Sequence, residues 1–158
     1  MEPKEIAKAI ALIILCQLAG IIGSVFTFQA IPGWYADLAR PDFAPPNWVF
    51  GPVWTTLYTL MGISAYLVLR KGLKRKGVRT ALGVFGTQLV LNALWSILFF
   101  GLRSPFYAFI EIIVLWASIA ASIALFWKIS KTAGLLLIPY ILWVSFAAIL
   151  NFYIWMLN

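Results

Sequence analysis

Five long apolar segments occupy most of this 158-residue chain, and nearly all of its charged residues lie in the gaps between them. An α-helix needs about 20 residues to cross the hydrocarbon of a bilayer, and each segment has about that length. Lipid offers the backbone no hydrogen-bond partners, so segments of this kind must be helical. The predicted spans are residues 6–28, 48–69, 80–100, 106–127 and 133–157. The sequence therefore predicts an all-α membrane protein, a single domain over residues 1–158 built as a five-helix bundle.

Basic residues are divided unequally between the two ends of the predicted spans. Of the 12 lysines and arginines, only Arg40 and Arg103 lie at the end that carries the first long loop. Loops that stay in the cytoplasm carry such an excess of positive charge. We therefore expect a multi-pass protein of a bacterial cell membrane, with its N-terminus inside and its C-terminus outside. Topology accounts for charges that would suggest nucleic-acid binding in a soluble protein, and no nucleic-acid partner is expected.

Several kinds of chemistry lack their usual residues here. The chain has no histidine, the commonest metal ligand and general acid–base, and Cys16 is its one cysteine. It has neither a phosphate-binding loop nor a dinucleotide fingerprint. We therefore expect no metal site and no resident cofactor. The chain also lacks the internal repeats found in many transporters, which argues weakly against transport.

The connector between the first two spans, residues 29–46, is long and not basic. Its Pro32-Gly33 pair predicts a turn, and the stretch from Trp34 to Arg40 is a candidate interfacial helix. Trp34 and Tyr35 fit two interpretations, an aromatic belt at the headgroups or a lid over the outer mouth of the bundle. Taken by itself, the loop favours the belt.

Aromatic, amide and hydroxyl side chains recur at helical spacing in spans two, three and five. Lipid readily accepts large apolar side chains, so stripes that also carry amides are expected to face the bundle interior. Together they predict an aromatic cavity suited to flat hydrophobic ligands. Its expected lining is Trp54, Tyr58, Asn92, Trp95, Trp143 and Phe146, and the same stripes carry Phe50, Gln88, Ala147 and Asn151.

Span three has a second face made of small residues. Gly83, Gly86 and Val90 lie nearly opposite Gln88 and Asn92 on a helix. Small residues let helix backbones approach closely within a membrane. We expect the amide face to point inward and the small face to contact a second subunit in a homodimer.

Two residues in the last two spans have their own expectations. Glu111 lies near the outer end of span four, where it is expected to reach the interface or to pair with Arg103. Pro139 in span five is expected to bend the helix by freeing the carbonyl group of Leu135.

Three gapped motifs resemble those of the tryptophan-rich sensory protein / translocator protein (TspO/MBR) family. They are Pro45-Pro46-x-Trp48-x-Phe50-x-x-Val53-Trp54-x-x-Leu57-Tyr58, Asn92-x-x-Trp95-Ser96-x-x-Phe99-Phe100 and Pro139-Tyr140-x-x-Trp143-x-x-Phe146-Ala147-x-x-Leu150-Asn151. The motifs occur in the right order, and the resemblance covers essentially the whole chain, including the long first loop.

The resemblance implies a homodimer of five-helix bundles that binds porphyrins such as protoporphyrin IX, and benzodiazepine-type ligands. It implies ligand contacts for Trp34, Tyr35, Trp54, Asn92, Trp143 and Ala147. Animal members also bind cholesterol through a motif that needs a basic residue after a tyrosine. No basic residue follows Tyr153 here, which argues against specific sterol binding.

The favoured function is that of a membrane receptor or sensor for tetrapyrroles, and metal-free porphyrin needs no histidine ligand. The alternative is an enzyme, because some bacterial relatives degrade protoporphyrin in light, with tryptophans matching Trp54 and Trp143 implicated. No catalytic residue is assigned otherwise. In sequence, an indole that packs a ligand and one that reacts with it look alike. A tetrapyrrole or sterol transporter is the third possibility.

Overall fold

The computed structural model describes all 158 residues, and every regular element in it is a helix. The α-helices are α1 Pro3–Ala30, α2 Asn47–Leu69, α3 Val78–Ser96, α4 Pro105–Ile129, α5 Lys131–Leu136 and α6 Ile138–Leu157. Two π-helical turns, Ile31–Tyr35 and Ile97–Gly101, continue α1 and α3. With α5 and α6 forming one span, five helical segments are long and apolar enough to cross a membrane. The predicted all-α, five-span fold is confirmed.

The outward faces of the helices are apolar, as contact with lipid requires. Ile14 and Ile22 on α1, Val114 on α4 and Ile149 on α6 are examples, and each is between 51% and 53% exposed. In water such a surface would be strongly unfavourable. The fold is therefore that of a multi-pass integral membrane protein. Which end of the bundle faces the cytoplasm stays a prediction.

The bundle interior contains two apolar clusters. The larger has 19 buried residues, among them Met61, Phe85 and Phe126. The smaller consists of Tyr35, Phe99, Ala108, Leu150 and Ile154. It lies at the end that carries the 31–46 connector, the α3–α4 turn and the C-terminus, which we call the loop end.

Glycines bring α1 and α2 into close contact. A Cβ atom at Gly62 would lie 2.5 Å from the Cα atom of Ile13, and one at Gly20 would overlap the ring of Tyr58. Gln17 joins the two helices by donating from Nε2 to the Thr55 carbonyl and to Thr59 Oγ1, each at 3.0 Å. Such close backbone approach is a common basis of helix pairing in membranes.

The prolines act mainly at helix boundaries. Pro45 and Pro46 precede α2, which begins at Asn47, whereas Pro52 lies within that continuous helix. Pro139 is expected from the sequence to bend the fifth span. The span is instead interrupted just before it, because Leu137 separates α5 from α6. The Leu137 N–H donates to the Gly134 carbonyl at 3.2 Å and so closes the last turn of α5.

The connector after span one departs from expectation. Pro32-Gly33 does not form a turn, because the backbone continues helically through it as the π-helical turn Ile31–Tyr35. The wider π-helical turn accommodates a proline whose missing N–H would interrupt an α-helix. The prediction of a separate interfacial helix from Trp34 to Arg40 is therefore wrong. The first span is simply longer than its apolar run indicates.

The rest of the connector is fastened to the end of α6. Asn158 Oδ1 accepts from the Ala39 N–H at 3.1 Å, and Asn158 Nδ2 donates to the Ala39 carbonyl at 2.9 Å. Phe43 packs edge-on against Phe146 and Tyr153, with ring centroids 6.1 and 5.5 Å apart. The connector thus lies across the loop end of the bundle.

We predict that Asn158→Ala loosens this connector. The change removes both hydrogen bonds to Ala39, each contributing about 1 kcal/mol. Hydrogen exchange followed by mass spectrometry should become faster in residues 36–46 and stay unchanged in α3. Gln29→Ala is the control, because this exposed amide makes no side-chain hydrogen bond. Equal exchange in wild type and Asn158→Ala would show that aromatic packing alone holds the connector.

Candidate ligand-binding cavity

A cavity of about 370 Å³ lies between the spans, towards the loop end. All five spans contribute to its wall, and most of the lining side chains are apolar. Pockets that bind small molecules typically enclose roughly 300–1,000 Å³ and have this character. This is the candidate functional site.

The cavity brings together nine of the residues expected to contact ligand. They are Tyr35, Phe50, Trp54, Tyr58, Asn92, Trp95, Trp143, Ala147 and Asn151. The three helices that supply most of them, α2, α3 and α6, are the spans whose stripes predicted a cavity.

Three expected ligand residues do not line the cavity. Gln88 is 1% exposed and lies deeper in the bundle. Trp34 packs edge-on against Phe99, with ring centroids 5.6 Å apart. Phe146 packs between Phe43 and Trp143. These side chains support the wall from behind rather than forming its surface.

The sequence did not implicate two spans that also form the wall. From α1 and its π-helical turn come Gln17, Gly20, Ile21, Ser24, Thr27, Phe28 and Ile31, and from α4 come Ile112 and Leu115. The sequence does contain a pattern that could have indicated the role of α1. Three polar residues recur at helical spacing in an otherwise apolar span, namely Gln17, Ser24 and Thr27. The aliphatic residues of α4 carry no such pattern.

A chain of hydrogen bonds crosses the bottom of the cavity. The Tyr58 hydroxyl donates to Asn92 Oδ1, Asn92 Nδ2 donates to the Tyr140 hydroxyl at 2.9 Å, and Tyr140 donates to Gln88 Oε1 at 2.7 Å. All four side chains are buried. The chain joins α2, α3 and α6 and satisfies the Asn92 amide. Only Gln88 Nε2 is left without a partner.

Two aromatic stacks form part of the wall. The Trp54 ring stacks on Tyr58 with centroids 5.5 Å apart and an interplanar angle of 28°. Trp95 stacks on Phe99 at 4.9 Å and 21°. Trp95 is oriented further by its Nε1, which donates to Asn151 Oδ1 at 3.0 Å. Asn151 in turn donates to the Pro105 carbonyl at 2.8 Å. Flat, fixed surfaces of this kind suit a flat ligand.

Trp143 is the one cavity indole that is both buried at its nitrogen and free to donate. Its ring contacts Phe50 edge-on at 5.9 Å, and its Nε1 has no hydrogen-bond partner. A buried donor without an acceptor is costly. A ligand that places an acceptor here would remove that cost.

Glu111 does not behave as expected. It is 8% exposed, neither carboxyl oxygen has a partner, and Arg103 makes no salt bridge with it. The prediction that Glu111 reaches the membrane interface or pairs with Arg103 is therefore wrong. On α4, Glu111 shares the buried stripe of Ala108 and Leu115, which turns it into the bundle.

The two faces of α3 point in opposite directions, as expected. A Cβ atom at Gly83 or Gly86 would meet no atom within 4 Å, and Val90 is 68% exposed. Gln88 and Asn92 are buried on the other side. The small-residue face is therefore free of contacts within this chain.

Comparison with known proteins gives a consistent result. Residues 12–156 match the model of the TspO/MBR family. The tryptophan-rich protein TspO of Archaeoglobus fulgidus is 45% identical over 98% of this chain and 99% of its own. The protein of that name in Chlorobaculum tepidum is 42% identical over 98% of both chains. The human translocator protein is 38% identical over 88% of this chain and 83% of its own.

We predict that Glu111→Leu stabilises the protein. The carboxyl group has no partner in the bundle, and replacing an unpaired buried polar group with an apolar one should raise the free energy of unfolding by about 1–3 kcal/mol. Thermal unfolding in one detergent, followed by circular dichroism, measures the change.

Glu5→Leu is the matched control for this substitution. Glu5 accepts from Lys8 Nζ at 2.9 Å and from the Tyr66 hydroxyl at 3.0 Å, so its replacement should lower stability instead. A loss of stability in Glu111→Leu as large as that in Glu5→Leu would mean that ordered water satisfies the Glu111 carboxyl.

Proposed function

This chain belongs to the TspO/MBR family, and we propose that it is an integral membrane receptor or sensor that binds porphyrins such as protoporphyrin IX in the aromatic cavity. The observation that carries the proposal is the cavity wall itself. It combines two fixed aromatic stacks with a buried, unpartnered indole donor, Trp143 Nε1.

Each part of the wall has a role towards such a ligand. The Trp54–Tyr58 and Trp95–Phe99 stacks offer flat apolar surface to a macrocycle, which is large, planar and hydrophobic. Trp143 Nε1 donates to an acceptor on the ligand and fixes its orientation. The chain has no histidine to ligate haem iron, which favours the metal-free porphyrin. Porphyrin is thus a ligand here and not a resident cofactor.

A second candidate function is the light-dependent breakdown of bound porphyrin. Trp54 and Trp143 both line the cavity, so each would lie beside a bound macrocycle. Such a reaction needs no acid–base pair, because the substrate absorbs the light and a neighbouring indole relays an electron. The net oxidation of the porphyrin requires dissolved dioxygen, which is reduced as the macrocycle is oxidised. Porphyrin products that form only under illumination, and that decrease in Trp54→Phe and Trp143→Phe, would favour the enzyme over the receptor.

We predict that protoporphyrin IX quenches tryptophan fluorescence saturably in the dark. Trp143→Phe keeps most of the apolar surface but removes the N–H, a loss of about 1 kcal/mol that weakens binding roughly fivefold. Trp127→Phe is the control, because Trp127 lies outside the cavity and is 41% exposed. Unchanged affinity in the Trp54→Phe/Trp143→Phe double variant would exclude this cavity as the porphyrin site.

We further propose that the small-residue face of α3 forms a homodimer contact. Nothing in this chain covers Gly83, Gly86 or Val90, and close packing through small residues drives helix association in lipid. Sterol does not enter the proposal, since the chain lacks the basic residue of the animal motif after Tyr153.

We predict that a cysteine at Val90, in a Cys16→Ser background, crosslinks two copies in membranes. Gly83→Leu or Gly86→Leu should reduce the yield, because a leucine holds the two backbones apart. A cysteine at Ile149 is the control on another lipid-facing helix surface. Crosslinking from Ile149 that is more efficient than from Val90 would place the contact on α6.

A further inference from the structure

The cavity is open on one side, between α1 and α2. Ile21 and Phe28 on α1 line the cavity yet are 57% and 73% exposed. Gly51 and Thr55 on α2 also line it and are exposed. Residues that belong both to the wall and to the protein surface mark the rim of an opening.

The packing of α1 against α2 explains where the opening lies. The two helices are in contact at Ile13–Gly62 and at Gly20–Tyr58, and Gln17 ties them together at Thr55 and Thr59. Nearer the loop end Gly51 lines the cavity, and a Cβ atom there would meet nothing within 4 Å. The opening therefore lies on the loop-end side of the Gly20–Tyr58 contact.

Most of the remaining boundary of the cavity is covered. Asn47 at the start of α2 also lines the cavity and is exposed, so the opening extends along α2 from Thr55 to Asn47. At the loop end, Tyr35, Phe99, Leu150 and Ile154 are each at most 6% exposed and pack together. The connector above them is fastened by Asn158. At the opposite side, the hydrogen-bonded chain from Tyr58 to Gln88 closes the bottom.

The rim is suited to contact with hydrocarbon. No charged residue occurs between Lys8 and Asp37 or within α2. Hydroxyl groups at the rim are satisfied by their own helices, because Ser24 donates to the Ile21 carbonyl at 2.8 Å and Thr55 to the Gly51 carbonyl at 2.9 Å. A polar group satisfied in this way can face lipid at little cost.

We propose that ligands reach and leave this cavity sideways from the bilayer, through the gap between α1 and α2. The ligand class is therefore flat hydrophobic molecules already dissolved in the membrane. The proposal rests on the proposed function only in taking porphyrin as the ligand. The connector is a fixed cover, and the route does not pass beneath it.

Two adjacent threonines allow a matched test. Thr55 and Thr56 are both exposed, and each donates its hydroxyl to the carbonyl four residues earlier, at 2.9 Å. Only Thr55 lines the cavity. Thr55→Trp should obstruct the gap, whereas Thr56→Trp adds the same side chain outside the cavity.

The first measurement is the kinetics of protoporphyrin IX binding to the full chain in lipid nanodiscs, followed by porphyrin fluorescence. Thr55→Trp should slow association and dissociation by a similar factor, about tenfold, because an obstruction raises the barrier for both directions. Thr56→Trp should keep wild-type rates. Asn158→Ala should also keep them, since it loosens only the cover at the loop end. Unchanged rates in Thr55→Trp, or faster association in Asn158→Ala, would overturn the proposal.

The second measurement needs no porphyrin and so separates this inference from the proposed function. A cysteine replaces Ala147 in the cavity wall, in a Cys16→Ser background, and is modified with a membrane-soluble maleimide or with a charged, water-soluble thiol reagent. The maleimide should react faster, and Thr55→Trp but not Thr56→Trp should slow it. Faster reaction with the charged reagent would place the opening towards water. Failure of wild type to bind porphyrin, with this pattern intact, would overturn the ligand assignment alone.

Discussion

Asn92 holds three of the five spans in register, and the position of the cavity depends on it. Its amide accepts from Tyr58 on α2 and donates to Tyr140 on α6, which donates onward to Gln88. A hydrogen bond between membrane helices contributes on average only about 0.6 kcal/mol, so no single link dominates stability. Their joint effect is geometric. Three helices meet at one level of the bundle, and the space towards the loop end stays open for a ligand.

Close packing and divergence of the same two helices shape the site. Gly62, against Ile13, and Gly20, against Tyr58, let α1 and α2 touch on either side of the Gln17 tie. Nearer the loop end Gly51 faces open space, and the wall between the helices is incomplete. Glycine therefore has two roles in α2. At Gly62 it permits contact, and at Gly51 it leaves a gap that a larger side chain would narrow.

The site combines rigid aromatic walls with one buried N–H group that has no hydrogen-bond acceptor. Trp95 is locked by Phe99 and Asn151, and Trp54 is stacked on a tyrosine that belongs to the hydrogen-bonded chain. Fixed walls reduce the entropy that a ligand must lose on binding. Among the cavity indoles, Trp143 Nε1 is the only buried nitrogen without a partner. These features suit recognition of one flat molecule with an acceptor, whether the protein then senses that molecule or transforms it in light.

The sequence by itself determined the five spans, the inward face of α3 and most of the aromatic wall, because apolar length and helical spacing are local properties of the chain. It could not assign Glu111 or the helical path through Pro32-Gly33, since each depends on what packs alongside. Nor could it show that Trp34 and Phe146 support the wall from behind, because neighbours on one helical stripe differ in depth only after packing. The gap beside Gly51 was decided by tertiary structure alone, since a glycine permits close approach but does not require it.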